Sequence, residues 1–348
     1  MAKSIVGLDI GTSVIRAAEV SEPKKTRPTL LRYFEVPLPP NSAVRGEVIE
    51  IATVASALKQ LWAKGGFKTK DVVLGVGSQR VIARDMTVPK MPIEQIRESL
   101  PFQVQDMLPV PVSEALLDFY PVSEGVSEGG PVVNGLLVAA VKSAVLANVQ
   151  AVQAAGLNPV EVDLIPFALS RALLNSKPEE GTVALVHVGA VTTSMVIAIG
   201  GIPQFVRIIP SGGDDITAAL VGRLGIDQAN AEQIKRGLGF DSQSAGPEWQ
   251  PAIQIIRDVS GDLLNSLRNT INFYVNSRQA PPVQTTILSG GGSNLQGFAA
   301  ALQEITKTRV IDSDPFARFT VSKTVDQNQL EASKRSIAVA LGLTLGAK

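Results

Sequence analysis

The chain contains no cysteine and a single histidine among 348 residues. Without thiols there is neither a disulfide framework nor a thiolate metal site, and one imidazole leaves ordinary zinc chemistry short of ligands. The lack of cysteine fits a reducing compartment. Net charge is missing as well, because Lys+Arg and Asp+Glu number 32 each. No global field therefore recruits nucleic acid or an anionic membrane. Nor is there an apolar leader, since Asp9 interrupts the first apolar run before it reaches signal-peptide length. Residues 181–206 carry no Asp, Glu, Lys or Arg and are numerous enough to span a bilayer. Gly189, Thr192, Thr193 and Ser194 at their centre, then Gly200, Gly201 and Pro203, instead predict buried strands joined by a turn.

What is present is apolar residue in quantity. A composition of 45% hydrophobic over 348 residues predicts two domains rather than one. The first half reads strand, turn, strand over 4–20, an extended stretch near 29–36, a helix near 47–64, and strands at 71–76 and 81–88. Residues 89–156 read as an insert. It has a helix after Pro92, strands near 115–122 and 134–141, an exposed Gly-rich loop over 124–130, and a helix over 143–155. In the insert's first helix Ile93, Ile96, Leu100, Val104 and Met107 share one face, as insert core or as a partner groove. Pro101 should break or kink that helix. The second half predicts strands at 183–188 and 194–199, helices from Asp214, at 227–237 and at 251–276, a strand at 285–288 and a last helix over 336–345.

The two halves repeat. "IVGLDIGTSVIRAAEV" (5–20) and "ALVHVGAVTTSMVIAIG" (184–200) each run strand, one polar residue, x-Gly, hydroxyl-bearing turn, strand. Asp9 and His187 hold equivalent places. Each half ends in a helix rich in small residues, at 166–172 and 337–343, suited to close packing at a hinge. Two related lobes with a cleft between them follow.

Asp9 is costly to bury unless something pairs with it. After it, Gly11-Thr12-Ser13 offers N–H groups and hydroxyls to phosphate, or makes a plain β-turn. No P-loop or dinucleotide-binding glycine pattern is present. Gly212 and Gly213 open a helix, where bare N–H groups suit an anion, unless Asp214 simply caps it. Glu232 and Lys235 fall on one helical face, as ligands or as a surface ion pair. Ser289-Gly290-Gly291-Gly292 follows a strand and precedes a helix, as a close-approach loop or a flexible one.

In this order these motifs resemble the actin-like ATPases, built from two ribonuclease H-like lobes, an α/β fold. Within them "VPKMPIEQIRESL", "DMLPVPVSEALLDFYPV" and "SIAVALGLTLG" resemble the PilM family of type IV pilus assembly. The resemblance implies a first lobe over 1–88 and an inserted subdomain over 89–156. A connecting helix (157–180), second-lobe segments at 181–212, 213–284 and 285–334, and a returning helix (335–348) complete it. It implies ATP or ADP in the cleft, with Asp9 holding weakly bound Mg²⁺ through water and Gly11, Thr12 and Ser13 on phosphate. Gly189 and Thr193 belong to the second phosphate loop, followed by Gly212, Gly213 and Asp214. Glu232 and Lys235 would meet ribose and adenine, and Gly290, Gly291 and Gly292 the base. The implied partner is the N-terminal cytoplasmic tail of PilN, with Leu100, Val104 and Met107 at its groove and pilus motor ATPases beyond. Membrane contact would come only through partners, in the cytoplasm.

One residue departs from the pattern. His187 stands where the second loop normally carries Asp, so hydrolysis should be very slow or absent. Of the rival readings, a sugar kinase lacks a substrate-side acid before Asp214. An FtsA-like division protein is expected to carry a C-terminal amphipathic helix, and a chaperone a further substrate domain. A non-nucleotide protein with remnant loops stays open.

Overall fold

A computed structural model describes residues 4–174, 181–240 and 246–347. The first lobe comprises β1 (Ser4–Ile10), β2 (Val14–Ser21), β3 (Thr29–Pro37), the short hairpin β4 (Ala43–Val44) and β5 (Glu47–Val48), α1 (Ile51–Gly65) and β6 (Asp71–Val76). The insert follows with β7 (Val81–Pro89), α2 (Ile93–Gln103), β8 (Ala115–Ser127) and β9 (Gly130–Val141). The chain returns through α3 (Lys142–Ala154), β10 (Asn158–Leu164) and α4 (Ile165–Leu173). The second lobe has β11 (Thr182–Val188), β12 (Thr193–Ile199), β13 (Ile202–Ile209), α5 (Gly213–Leu224), α6 (Gln228–Leu238) and α7 (Gln250–Arg278). It closes with β14 (Val283–Ser289), α8 (Phe298–Thr306), β15 (Arg309–Asp312), β16 (Thr320–Val321), α9 (Gln327–Ser333) and α10 (Ala338–Thr344).

The repeat seen in the sequence is a repeat in space. The first-lobe sheet runs β10-β6-β1-β2-β3-β16 and the second β13-β12-β11-β14-β15. In each, three antiparallel strands made from consecutive chain are extended on one side by two parallel ones, and in the first sheet β16 adds a further parallel strand beside β3. The central strands β1, β6 and β11 are near-continuous buried runs because both faces are covered, whereas β10 and β15 at the sheet edges are not. Residues 181–206 enter β11, β12 and β13, and among the described residues no helix is long and apolar enough to cross a membrane.

Between the lobes lie α4 and α10. Their small residues let them cross closely: a Cβ on Gly342 would sit 1.9 Å from the carbonyl oxygen of Ala168. One core joins Leu169, Ala172, Val339 and Leu343 of these helices with Ile5 and Val73 of the first sheet and Leu185 and Val196 of the second. Helix α10 therefore returns to the first lobe.

The insert is a three-stranded sheet, β7-β9-β8, with α2 on β8. Three details differ from expectation. Pro101 falls in the last turn of α2, where it forgoes its own bond to the fourth residue back, and the helix stops two residues later at Gln103, leaving Met107 in a separate turn. The Gly-rich segment is exposed but paired, because β8 extends to Ser127 and meets β9 at Gly130. Strands β10 and β13, unassigned from the sequence, complete the two sheets. The insert also touches both hinge and second lobe, with Tyr120 stacked on Phe167 at 4.5 Å and Asp85 paired with Arg278.

Candidate functional site

The two hairpins close with the same turn. In the first, the N–H of Gly11 donates to the carbonyl of Val14 at 3.1 Å, and in the second that of Gly189 donates to Thr192 at 2.9 Å. Asp9, next to last in β1, lies opposite Arg16, its cross-strand partner, and is only 9% exposed. The Nη1 of Arg16 lies 4.0 Å from Asp9 Oδ2, and its Nε donates to Glu35 Oε2 at 3.1 Å. Burial pushes the Asp9 carboxyl upward, and the guanidinium opposes that shift. Arg16 is thus the partner that the buried acid requires.

His187 is equivalent to Asp9, on β11. Its Nδ1 lies 3.2 Å from Ser289 Oγ, and that hydroxyl donates to the carbonyl of Arg335 at 3.0 Å. Since the serine proton is spent, Nδ1 donates and Nε2 keeps its lone pair. Burial, then the charge of Arg16, holds the imidazole down at about 4. The charge of Arg16, in the first lobe, thus acts on both Asp9 and His187.

The second-lobe loops interlock. The N–H of Gly213 donates to the carbonyl of Gly189 at 3.0 Å, and that of Asp214 to Ala190 at 2.7 Å. These donors, expected to face an anion, are therefore already used. Helix α5 is capped by Asp215, whose carboxylate accepts from Gly212 N at 2.9 Å, and not by Asp214. Burial raises the Asp214 carboxyl, Lys235 opposes this, and Glu232 and Asp215 add to it. Thr193 is wholly buried, its Oγ1 donating to Ser211 O at 2.8 Å, so it braces the loop from behind. Gly290 turns at φ 93°, where a Cβ would lie 2.2 Å from Val188 O. Gly291 opens a short turn to Asn294, and Gly292 Cα approaches the Gly213 Cβ position at 3.5 Å.

Glu232 and Lys235, on α6, close this group. Lys235 Nζ lies 2.6 Å from Glu232 Oε2, donates to Gly213 O at 3.1 Å and to Thr217 Oγ1 at 2.9 Å. Glu232 Oε2 also accepts from Thr217 at 2.8 Å, and its Oε1 from Arg236 at 2.8 Å. Although burial works the other way, the bonds from Lys235, Arg236 and Thr217 bring the Glu232 carboxyl down to about 2. The pair is thus part of the loop assembly and more than a surface ion pair.

Thr12 carries a further signal. Its Oγ1 is buried without a hydrogen-bond partner, an unmet group that a phosphate oxygen would satisfy. Ser13 beside it is exposed. Among the described residues no three His, Cys, Asp or Glu side chains gather as a metal site. Asp9 nevertheless offers a hard oxygen ligand of the kind Mg²⁺ takes.

The insert residues do not join the cleft. Leu100 and Val104, expected at a peptide groove, are fully buried with Ile96, Val88, Phe119 and Leu137 in the insert's own core. The spacing that suggested a groove is that of a helix packed on a sheet. Met107 alone of the three is partly buried. Arg16, Thr217 and Arg335 join the site without a motif of their own. Arg16 was legible as the residue cross-strand to Asp9, whereas Thr217 and Arg335 act through contacts distant in sequence.

Two duplicated lobes closing on paired glycine turns define the actin-like ATPase fold. The structure of MreB5 of Spiroplasma citri bound to ADP matches it with a TM-score of 0.52 and 13% identity, over 98% of this chain and 94% of that one. FtsA, the cell division protein of Bacillus subtilis, is 22% identical over 67% of this chain and 58% of its own length. The chain belongs to the family described as type IV pilus assembly protein PilM, whose sequence profile matches residues 7–348. A solved PilM-PilN type IV pilus biogenesis complex is 30% identical, with a TM-score of 0.84 over 98% of this chain and 97% of that one.

Proposed function

We propose that this chain is a nucleotide-binding scaffold of type IV pilus assembly that holds ATP or ADP and turns it over very slowly or not at all. The observation that carries the reading is the meeting of three glycine loops at the carbonyl of Gly189, with Glu232 and Lys235 bound into the same group. Gly290, Gly291 and Gly292 would lie against the base, and Glu232 near the sugar. Gly11, Thr12 and Ser13 would take phosphate, where Thr12 Oγ1 awaits a partner.

Bound Mg²⁺ would balance phosphate charge and order water around it. Asp9 would hold it through that water, weakly, because Arg16 already meets Asp9 and the equivalent place on β11 holds His187. A neutral imidazole at position 187 neither anchors the metal's water shell as a carboxylate does nor bears its negative charge.

The partner would be the N-terminal cytoplasmic tail of PilN, by likeness to the PilM-PilN complex. Its place would be between the insert and the first lobe, with Met107 at the margin. Through that tail the chain would sit at the inner face of the cytoplasmic membrane and reach the motor ATPases. The test is capture of the chain by an immobilised PilN tail peptide and by a scrambled control. Specific capture is expected, and equal retention on both peptides would contradict the assignment.

A further inference from the structure

The network around Lys235 leaves that residue no free hydrogen. An ammonium has three N–H donors. Glu232 Oε2, Gly213 O and Thr217 Oγ1, at 2.6, 3.1 and 2.9 Å, take all three. Thr217 in turn has one proton, and with Lys235 donating to its oxygen that proton goes to Glu232 Oε2. Thr217 is itself buried, at 4% exposed. Glu232 Oε2 is therefore fixed by two donors from the protein interior. Its other oxygen, Oε1, is met by Arg236, whose side chain is 77% exposed and whose bond is the replaceable one.

Resting on the nucleotide reading above, we propose that Thr217 is a positioning residue for sugar recognition. With Lys235 it locks Glu232 Oε2, so that Oε1 alone is presented to the ribose hydroxyls. Lys235 then braces the site from inside and makes no contact with the base. Discrimination between ribose and a sugar without hydroxyls depends on the Thr217 oxygen, one helix away from the carboxylate that reads it.

The experiment compares binding of ATP and of 2′,3′-dideoxyATP by calorimetry in the wild-type chain, Thr217→Val and Thr217→Ser. Valine keeps the shape and removes the oxygen, whereas serine restores it. Wild type is expected to favour ATP on the order of tenfold, as befits hydrogen bonds to a charged group. Thr217→Val should lose most of that preference while binding the dideoxy analogue nearly as wild type does, and Thr217→Ser should recover it. Equal weakening of both ligands in Thr217→Val would mark a merely structural role and overturn the assignment. So would an unchanged preference. Failure of the wild type to bind either ligand would overturn the nucleotide reading itself, and this assignment with it.

Discussion

His187 Nδ1 donates to Ser289 Oγ across 3.2 Å, and Ser289 passes its own proton to the carbonyl of Arg335. A hinge-side carbonyl thereby fixes which nitrogen of the chain's only histidine bears hydrogen. The ring is neutral, and protonating it costs both desolvation and repulsion from the charge of Arg16.

This arrangement predicts a titration. The ring signals of the one histidine should move with a midpoint near 4, well below the ordinary value of 6.5. The sign follows from linkage: between those values the unfolded chain takes up a proton that the folded chain refuses. Stability from this residue is complete above 6.5 and is lost as pH falls through 4. Nuclear magnetic resonance titration checks the midpoint, and melts of wild type beside His187→Asn check the loss. A midpoint near 6.5 would contradict the geometry.

Metal removal should matter little. Arg16 already sets a cation beside Asp9, so chelation should weaken ATP binding by less than about tenfold, a change of under about 1.4 kcal/mol. Arg16→Ala should weaken it more than chelation does. Calorimetry with EDTA and with Mg²⁺, for both proteins, separates the two. Complete loss of binding in EDTA would show that the metal carries the phosphate charge.

The insert separates core from surface. Leu100→Ala should cost about 2–5 kcal/mol, the range for emptying a buried leucine site. Met107→Ser should leave the melting temperature nearly unchanged while weakening capture by the PilN tail peptide. Thermal melts and peptide pull-down on both variants check this. A melting collapse in Met107→Ser would place that residue in the core as well.

At the hinge, Gly342→Ala should destabilise the chain by about 1–3 kcal/mol, as overpacking does, because its Cβ would press on the Ala168 carbonyl. Denaturant melts measure it. A neutral result would mean that α4 and α10 have room to separate.

Much of this was legible in the sequence, for reasons particular residues make plain. The pairs Ile5/Val6 and Val183/Ala184 begin apolar runs broken by one polar residue and a glycine, a pattern that two covered sheets impose. Local spacing also put Glu232 and Lys235 on one face of α6. What spacing cannot show is where a bond goes. Gly212 and Gly213 read as free anion donors, yet the N–H of Gly212 meets the Asp215 carboxylate and that of Gly213 the carbonyl of a loop more than twenty residues earlier. The stripe on α2 could not say whether a sheet or a peptide covers it, and Phe119 and Leu137 of the insert decided for the sheet. Strand β10 escaped notice because its exposed positions carry Val160 and Val162 while Glu161 and Asp163 are partly buried, and β13 because Gln204 and Arg207 interrupt its apolar run.

The central claim is that the cleft retains ATP without consuming it. A single-turnover assay tests this most directly: γ-labelled ATP is bound to excess chain, the complex is isolated, and labelled phosphate is followed over time. Intact nucleotide is expected in the wild-type complex, and faster phosphate release from His187→Asp, in which a carboxylate stands at position 187. No retained nucleotide, or wild-type release as fast as that of His187→Asp, would contradict it.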